Sequence, residues 1–214
     1  MRNIETLIEE LQIAFSDIEK PIKIKGCDCG SCLDQNQCDD LLALSDSIEV
    51  TLDDASRFRL LCDYIEDALF TVGVAEDFIY FVPKVLGLCL RQYDFLENPT
   101  MFVNKLTIAG FDDWSASKKM SVEAVLLKVV ELGIHGRSSD FDDWMSGLCA
   151  LDVSHQKFMD LLDRDEAEVS RKSFIRCHYP ESWEGPRMKG PYWDDLPSDK
   201  TQIVHNWLVS QPPA

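Results

Sequence analysis

No apolar run in the 214 residues approaches the roughly 18 that a helical membrane span needs, so no helical span is expected. Nor does any stretch alternate apolar and polar residues for more than a few positions, which removes the signature of a half-buried strand. The motifs G-x-S-x-G, G-x-x-x-x-G-K-[ST], G-x-G-x-x-G and H-E-x-x-H are all missing. Hydrolase, P-loop, dinucleotide and zinc-protease chemistry thereby lose their simplest support. Positive charge is scarce: 21 Lys and Arg stand against 38 Asp and Glu, a formal net charge of -17. A phosphate backbone would be repelled, so a nucleic-acid partner is not expected, whereas a basic protein is a natural complement. The same acidity keeps a protein in solution. Only four histidines occur, His135, His155, His178 and His205, and no two are spaced for one helix face. Each reads as a packing or surface residue. Cys177 and His178 are neighbours in sequence, which on a helix turns them apart rather than into a nucleophile and base. The first ten residues hold Glu5, Glu9 and Glu10, the wrong character for a signal peptide, so a cytoplasmic location is expected.

What is present is helical periodicity. A length of 214 residues is enough to bury a sizeable core without staples, and the expectation is one all-α, multi-helix domain over residues 1–214. An irregular α-α stack of the HEAT type is one arrangement the pattern allows. The stretch Thr51 to Gln92 organises the chain as a helical hairpin. Thr51 reads as an N-cap, with Asp53 and Asp54 in the first turn. Phe58, Leu61, Ile65, Ala68 and Val72 form its stripe, and Gly73 reads as the stop. The second helix is apolar nearly all round, so it is expected at the centre. Pro83 either kinks it or opens its main part, the latter being favoured.

Before the hairpin, Asn3 to Glu19 carries a 3.6-residue stripe ended by Pro21. After it, Asn98-Pro99 signals a helix reaching about Ala109, and Ser115 or Ser117 starts another that stops at Gly133. Further starts are read at Asp140, Ser154, Asp165 and Ser198. Phe111-Asp112-Asp113-Trp114 recurs as Phe141-Asp142-Asp143-Trp144, which is either an internal repeat or a reused helix-start signal. The acid pairs Asp39-Asp40, Asp53-Asp54, Asp112-Asp113, Asp142-Asp143 and Asp194-Asp195 fall mostly at helix starts, where the dipole favours anions. Residues 179–197 form a Trp-, Pro- and Gly-rich loop. Its Trp183, Tyr192 and Trp193, with Trp207, either line a groove or pin the loop to the last helix.

The chemistry-bearing stretch is the Cys-rich loop of residues 22–38. Cys27, Cys29, Cys32 and Cys38 fall within 12 residues. In a reducing compartment cysteines are thiols or metal ligands, and four thiolates can close around one Zn2+. Gly30 lets the backbone amides turn toward the sulfurs. Such a site is structural, and the metal orders a loop that has almost no apolar side chains of its own after Ile24. The alternatives are a reduced Cys-rich loop and a redox dithiol at Cys29-Gly30-Ser31-Cys32, although the strand-helix setting usual for the latter is absent. A short helix, Asp39 to Leu44, is expected to follow.

The Cys pair within Cys27 to Cys32, followed by Tyr64, Ala68, Thr71, Gly73, Asp77, Phe78, Phe81, Pro83 and Leu86, resembles an uncharacterised family of bacterial all-α proteins of about this length. Trp114, Trp144 and Trp207-Leu208 echo it more loosely. The resemblance covers roughly residues 27 to 90, implies an all-α fold and carries no assigned reaction. Cys38 and the Cys-x-Cys spacing depart from it. The functional expectation is a non-catalytic protein-binding module, of an immunity or antitoxin type, whose acidic face meets a basic partner. The rival is a metal- or thiol-dependent enzyme acting through the cysteine cluster.

Overall fold

The computed structural model describes residues 3–45, 55–93, 95–136, 141–151, 153, 155–178, 193 and 198–211. Among them the fold is all-α, with ten α-helices and no strand. An isolated β-type bridge joins Ala68 and Val72. The chain forms two compact units: residues 1–97 with 104–125, and residues 98–103 with 126–214. Among the described residues no helix is long and apolar enough to cross a membrane.

In the first unit α1 (Ile4–Ala14) packs on α4 (Ala75–Arg91), and α2 (Gln35–Leu44) packs on α3 (Ala55–Asp67). The stripe of α1 buries Leu7, Ile8 and Leu11. The helix ends five residues before the expected Glu19. Phe15 turns edge-on to Trp114 at 5.5 Å and Asp17 meets Lys118 at 2.7 Å, which holds the chain in a turn well before Pro21. As its composition requires, α4 is buried almost all round, from Phe78 and Phe81 through Val85, Leu86 and Cys89. Each such apolar side chain contributes about 1.5–3 kcal/mol relative to exposure. Pro83 lies inside this one continuous helix, so the favoured reading of Pro83 as a helix start is corrected. The surrounding apolar packing outweighs the one backbone bond that proline cannot donate.

The end of α3 is the other revision. Thr51, Asp53 and Asp54 lie outside the described residues. At the far end α3 stops at Asp67, six residues before Gly73. Lys105, buried on α5 (Pro99–Ile108), donates its Nζ hydrogens to the carbonyls of Ile65 and Glu66. A cation on the last carbonyls is a helix terminator by both hydrogen bonding and dipole. Leu69 then takes a left-handed φ of 68° and the chain turns into α4. Asp77 closes the start of α4 by accepting the Val74 amide at 3.0 Å.

The start of α5 is as read: the Asn98 side chain accepts the Met101 amide at 3.0 Å. Next comes α6 (Ala116–Gly136), where Ser115 accepts the Lys118 amide. It passes Gly133 because Ile134 is buried one residue on and keeps the apolar face in register. In the second unit α7 (Phe141–Ala150), α8 (His155–Leu162), α9 (Glu168–His178) and α10 (Ser198–Ser210) surround Trp144, Leu148, Phe158, Phe174, Val204 and Leu208. Asp140 and Ser154 lie outside the described residues. The two Phe-Asp-Asp-Trp segments are used differently. Phe111–Asp113 is a 3-10 turn ahead of α6, while Phe141 to Trp144 opens α7 itself.

Candidate metal centre

The Cys-rich loop is held on every side by backbone hydrogen bonds. The Cys27 amide donates to the Leu33 carbonyl at 2.8 Å, closing the loop on itself. The Leu33 amide donates to Asp67 Oδ2 at 2.9 Å, and the Gly73 amide to the Lys25 carbonyl at 2.9 Å. Ile24 and Leu33 are buried. Gln35 clamps the entry, its amide nitrogen on the Ile24 carbonyl at 3.0 Å and its oxygen accepting from Gly26 at 3.3 Å. At Gly26 the loop passes so close to the start of α2 that a Cβ would lie 2.5 Å from the Gln35 nitrogen. The loop, expected to lack a core of its own, thus has two apolar anchors and hydrogen bonds that order it.

A signal for this was present in the sequence and missed. Asp34 and Gln37 form a capping box, with the Gln37 amide on Asp34 Oδ1 at 2.9 Å and the Asp34 amide on Gln37 Oε1 at 3.0 Å. It starts α2 at Gln35 rather than Asp39. Cys38 therefore sits inside a helix, fully buried.

Cys27, Cys29 and Cys32 remain in the loop, their three sulfurs all within 4.8 Å of one another. A tetrahedral Zn2+ with sulfurs at about 2.3 Å spaces them about 3.8 Å apart, so small side-chain adjustments suffice. Cys38 is not part of this group, so the structure brings together three of the four expected cysteines. Burial, followed by the charges of Asp39 and Asp34, pushes its thiol up to about 11.

Gly30, with φ of 76°, makes the turn between Cys29 and Cys32, and the Ser31 amide donates to Cys29 Sγ at 3.4 Å. That amide, then the Cys27 thiol and the Cys32 amide, bring exposed Cys29 down to about 7. Cys32 is half-buried. The Thr71 hydroxyl donates to its sulfur at 3.2 Å and lowers its pKa. Sharing a hydrogen bond with Cys29, partial burial and the Asp67 charge outweigh this and raise it to about 11. Exposed Asp28, Asp34, Asp39 and Asp40 stand along the same segment, a setting that draws cations.

The other candidates separate. Cys177 is exposed while His178 beside it is buried, so the two face apart. His178 Nε2 lies 3.1 Å from Asp142 Oδ2, and the Trp193 indole donates to Asp142 Oδ1 at 2.8 Å. A carboxylate only accepts, so Nε2 carries the hydrogen. Asp142 thus joins α7, α9 and Trp193, a role beyond the dipole effect read from its Asp-Asp pair. Trp193 is buried edge-on to His178, and Trp207 donates to Asp163 Oδ1 at 3.0 Å. These contacts anchor the two indoles. Trp183, Tyr192, Asp194 and Asp195 lie outside the described residues, as do the side chain of His155 and the rest of the 179–197 loop. His135 is exposed and His205 half-buried.

No family model, curated protein or solved structure matches the chain.

Proposed function

We propose that the chain is a non-catalytic helical binding protein whose surface loop takes up one Zn2+ through Cys27, Cys29 and Cys32. The observation that carries the metal assignment is the meeting of three sulfurs within 4.8 Å on a loop already fixed by its own hydrogen bonds. The donor set supports a soft, tetrahedral cation over calcium or magnesium, which prefer oxygen. Three protein ligands leave the fourth position for water or an outside group, so the site differs from a closed four-cysteine knuckle. Metal content of protein purified under reducing conditions tests this. One zinc per chain is expected, lost in Cys29→Ser and kept in Cys38→Ala. A Cys38→Ala variant without zinc, or a reduced wild type that binds none when zinc is supplied, overturns it.

A basic protein is proposed as the partner, supported by the net charge of -17 and by acids lying exposed on α1, α2 and the cysteine loop. Such an interface is steered by charge, so its association rate falls steeply with salt. Affinity capture at low ionic strength tests it. Recovery of one basic protein, released by salt, is the expected result, and recovery of only acidic or neutral proteins sinks it.

A further inference from the structure

We infer that Cys29 and Cys32 form a thiol–disulfide exchange pair that acts on a low-molecular-weight disulfide, with Cys29 attacking and Cys32 resolving. The inference rests on how the two sulfurs are placed and does not require the metal. Cys29 is exposed, so a disulfide can reach its sulfur, while Cys32 is half-buried. The two sulfurs are within 4.8 Å, and the left-handed Gly30 folds the two intervening residues into the turn that keeps them there. Each sulfur has its own donor, the Ser31 amide at 3.4 Å on Cys29 and the Thr71 hydroxyl at 3.2 Å on Cys32. A sulfur that accepts a hydrogen bond is stabilised as the anion it becomes when it leaves, so the Cys29 donor also serves the return reaction. The strand-helix setting that usually holds such pairs is replaced here by the α3–α4 turn, which contributes Thr71 and the Asp67 acceptor for Leu33.

The chemistry balances as follows. The Cys29 sulfur attacks one sulfur of R–S–S–R, the substrate S–S bond breaks, and one R–S⁻ leaves. The Cys32 sulfur then attacks Cys29 Sγ in the mixed disulfide, a Cys29–Cys32 bond forms, and the second R–S⁻ leaves. The two thiol protons end on the two R–SH products, and two electrons pass from the protein to the small disulfide. Closing the pair removes two of the three sulfurs from the metal set, because a disulfide sulfur is not a thiolate ligand. Bound zinc and the disulfide therefore exclude each other, and an oxidising thiol pool would release the metal.

The test uses the full chain carrying Cys177→Ser, since Cys177 is the other exposed cysteine. Zinc is measured first, then stripped by chelation under reducing conditions. The protein is equilibrated without air in glutathione buffers of graded oxidised-to-reduced ratio, quenched by alkylation, and mapped by mass spectrometry. The expected product is a Cys29–Cys32 disulfide. Adding Cys32→Ser is expected to abolish it and trap one glutathione on Cys29, while Cys29→Ser abolishes both products. Helical circular dichroism confirms that each variant is folded. A mixed disulfide on Cys27, a bridge from Cys27 to either partner, or no bridge at the most oxidising ratio overturns the inference. Zinc binding without exchange refutes this pair alone, and exchange without zinc binding refutes the metal reading alone.

Discussion

Replacing Lys105 by Met tests how α3 is brought to its end. The Lys105 ammonium is fully buried and donates to the Ile65 and Glu66 carbonyls, with the Phe70 ring 4.7 Å away. Two hydrogen bonds from a charged donor contribute about 1.5–3 kcal/mol each. Against them, burial lowers the pKa of this amine from 10.5 to about 8, partly offset by Asp67 and Glu66. That shift corresponds to about 3 kcal/mol of unfavourable charging. The bonds win by a small margin, and Lys105→Met is expected to lose about 1–2 kcal/mol at about pH 7. The pH dependence is the sharper readout. Between about 8 and 10.5 the unfolded chain keeps the proton and the folded chain does not, so wild-type stability rises with pH in that window. The gain is complete above 10.5 and is lost as pH falls through about 8. Met has no proton to release, so the gap between wild type and variant is expected to widen by about 3 kcal/mol across the whole window, about 2 kcal/mol of it by about pH 9.5. Urea unfolding of both proteins at about pH 7 and about pH 9.5 measures it, and taking the difference cancels the other titrating groups. A gap that stays constant with pH, or a variant more stable at about pH 7, would refute this account of how α3 ends.

Asp34→Ala removes the capping box of α2 and is expected to cost about 1 kcal/mol in chemical denaturation, with the helix start and Gln35 clamp weakened together. Gly26→Ala drives a methyl into the Gln35 backbone, so the loop must lift; zinc affinity is expected to fall at least tenfold in a chelator competition, with little change in helical circular dichroism. In the second unit, Asp142→Ala orphans the N–H groups of His178 and Trp193 at about 1–3 kcal/mol each, whereas Asp142→Asn, which keeps one acceptor, is expected to lose less by the same unfolding assay. Chelating zinc from the reduced protein is expected to leave far-ultraviolet circular dichroism unchanged, since the loop is fixed by Ile24, Leu33 and Asp67 rather than by metal.

The helices were legible wherever side-chain periodicity coincided with local end signals. Asn98-Pro99 opened α5 as read, and the all-apolar face of α4 placed it in the core. The reading failed where a distant residue set the boundary. Nothing local between Ile65 and Gly73 announces the end of α3, because the terminator is Lys105, 40 residues on. Phe15 and Asp17 likewise end α1 through Trp114 and Lys118. The site was half legible. Spacing brought Cys27, Cys29 and Cys32 together on the page, but it also admitted Cys38, which only the Asp34–Gln37 box assigns to a helix. The Asp142 link to His178 and Trp193 spans 36 and 51 residues and leaves no mark on local pattern.

The clasps of the cysteine loop have a consequence for synthesis. Asp67 and Thr71, which hold Leu33 and Cys32, come 34 and 39 residues later in the chain. A nascent chain therefore presents all four front cysteines before Asp67 and Thr71 exist. Contacts between residues this far apart form late, since the intervening chain must first be closed. In that interval Cys38 is as available to a metal or an oxidant as the other three. Only the winding of α2 withdraws it, so the order in which helix, turn and loop mature decides which thiols the finished protein offers.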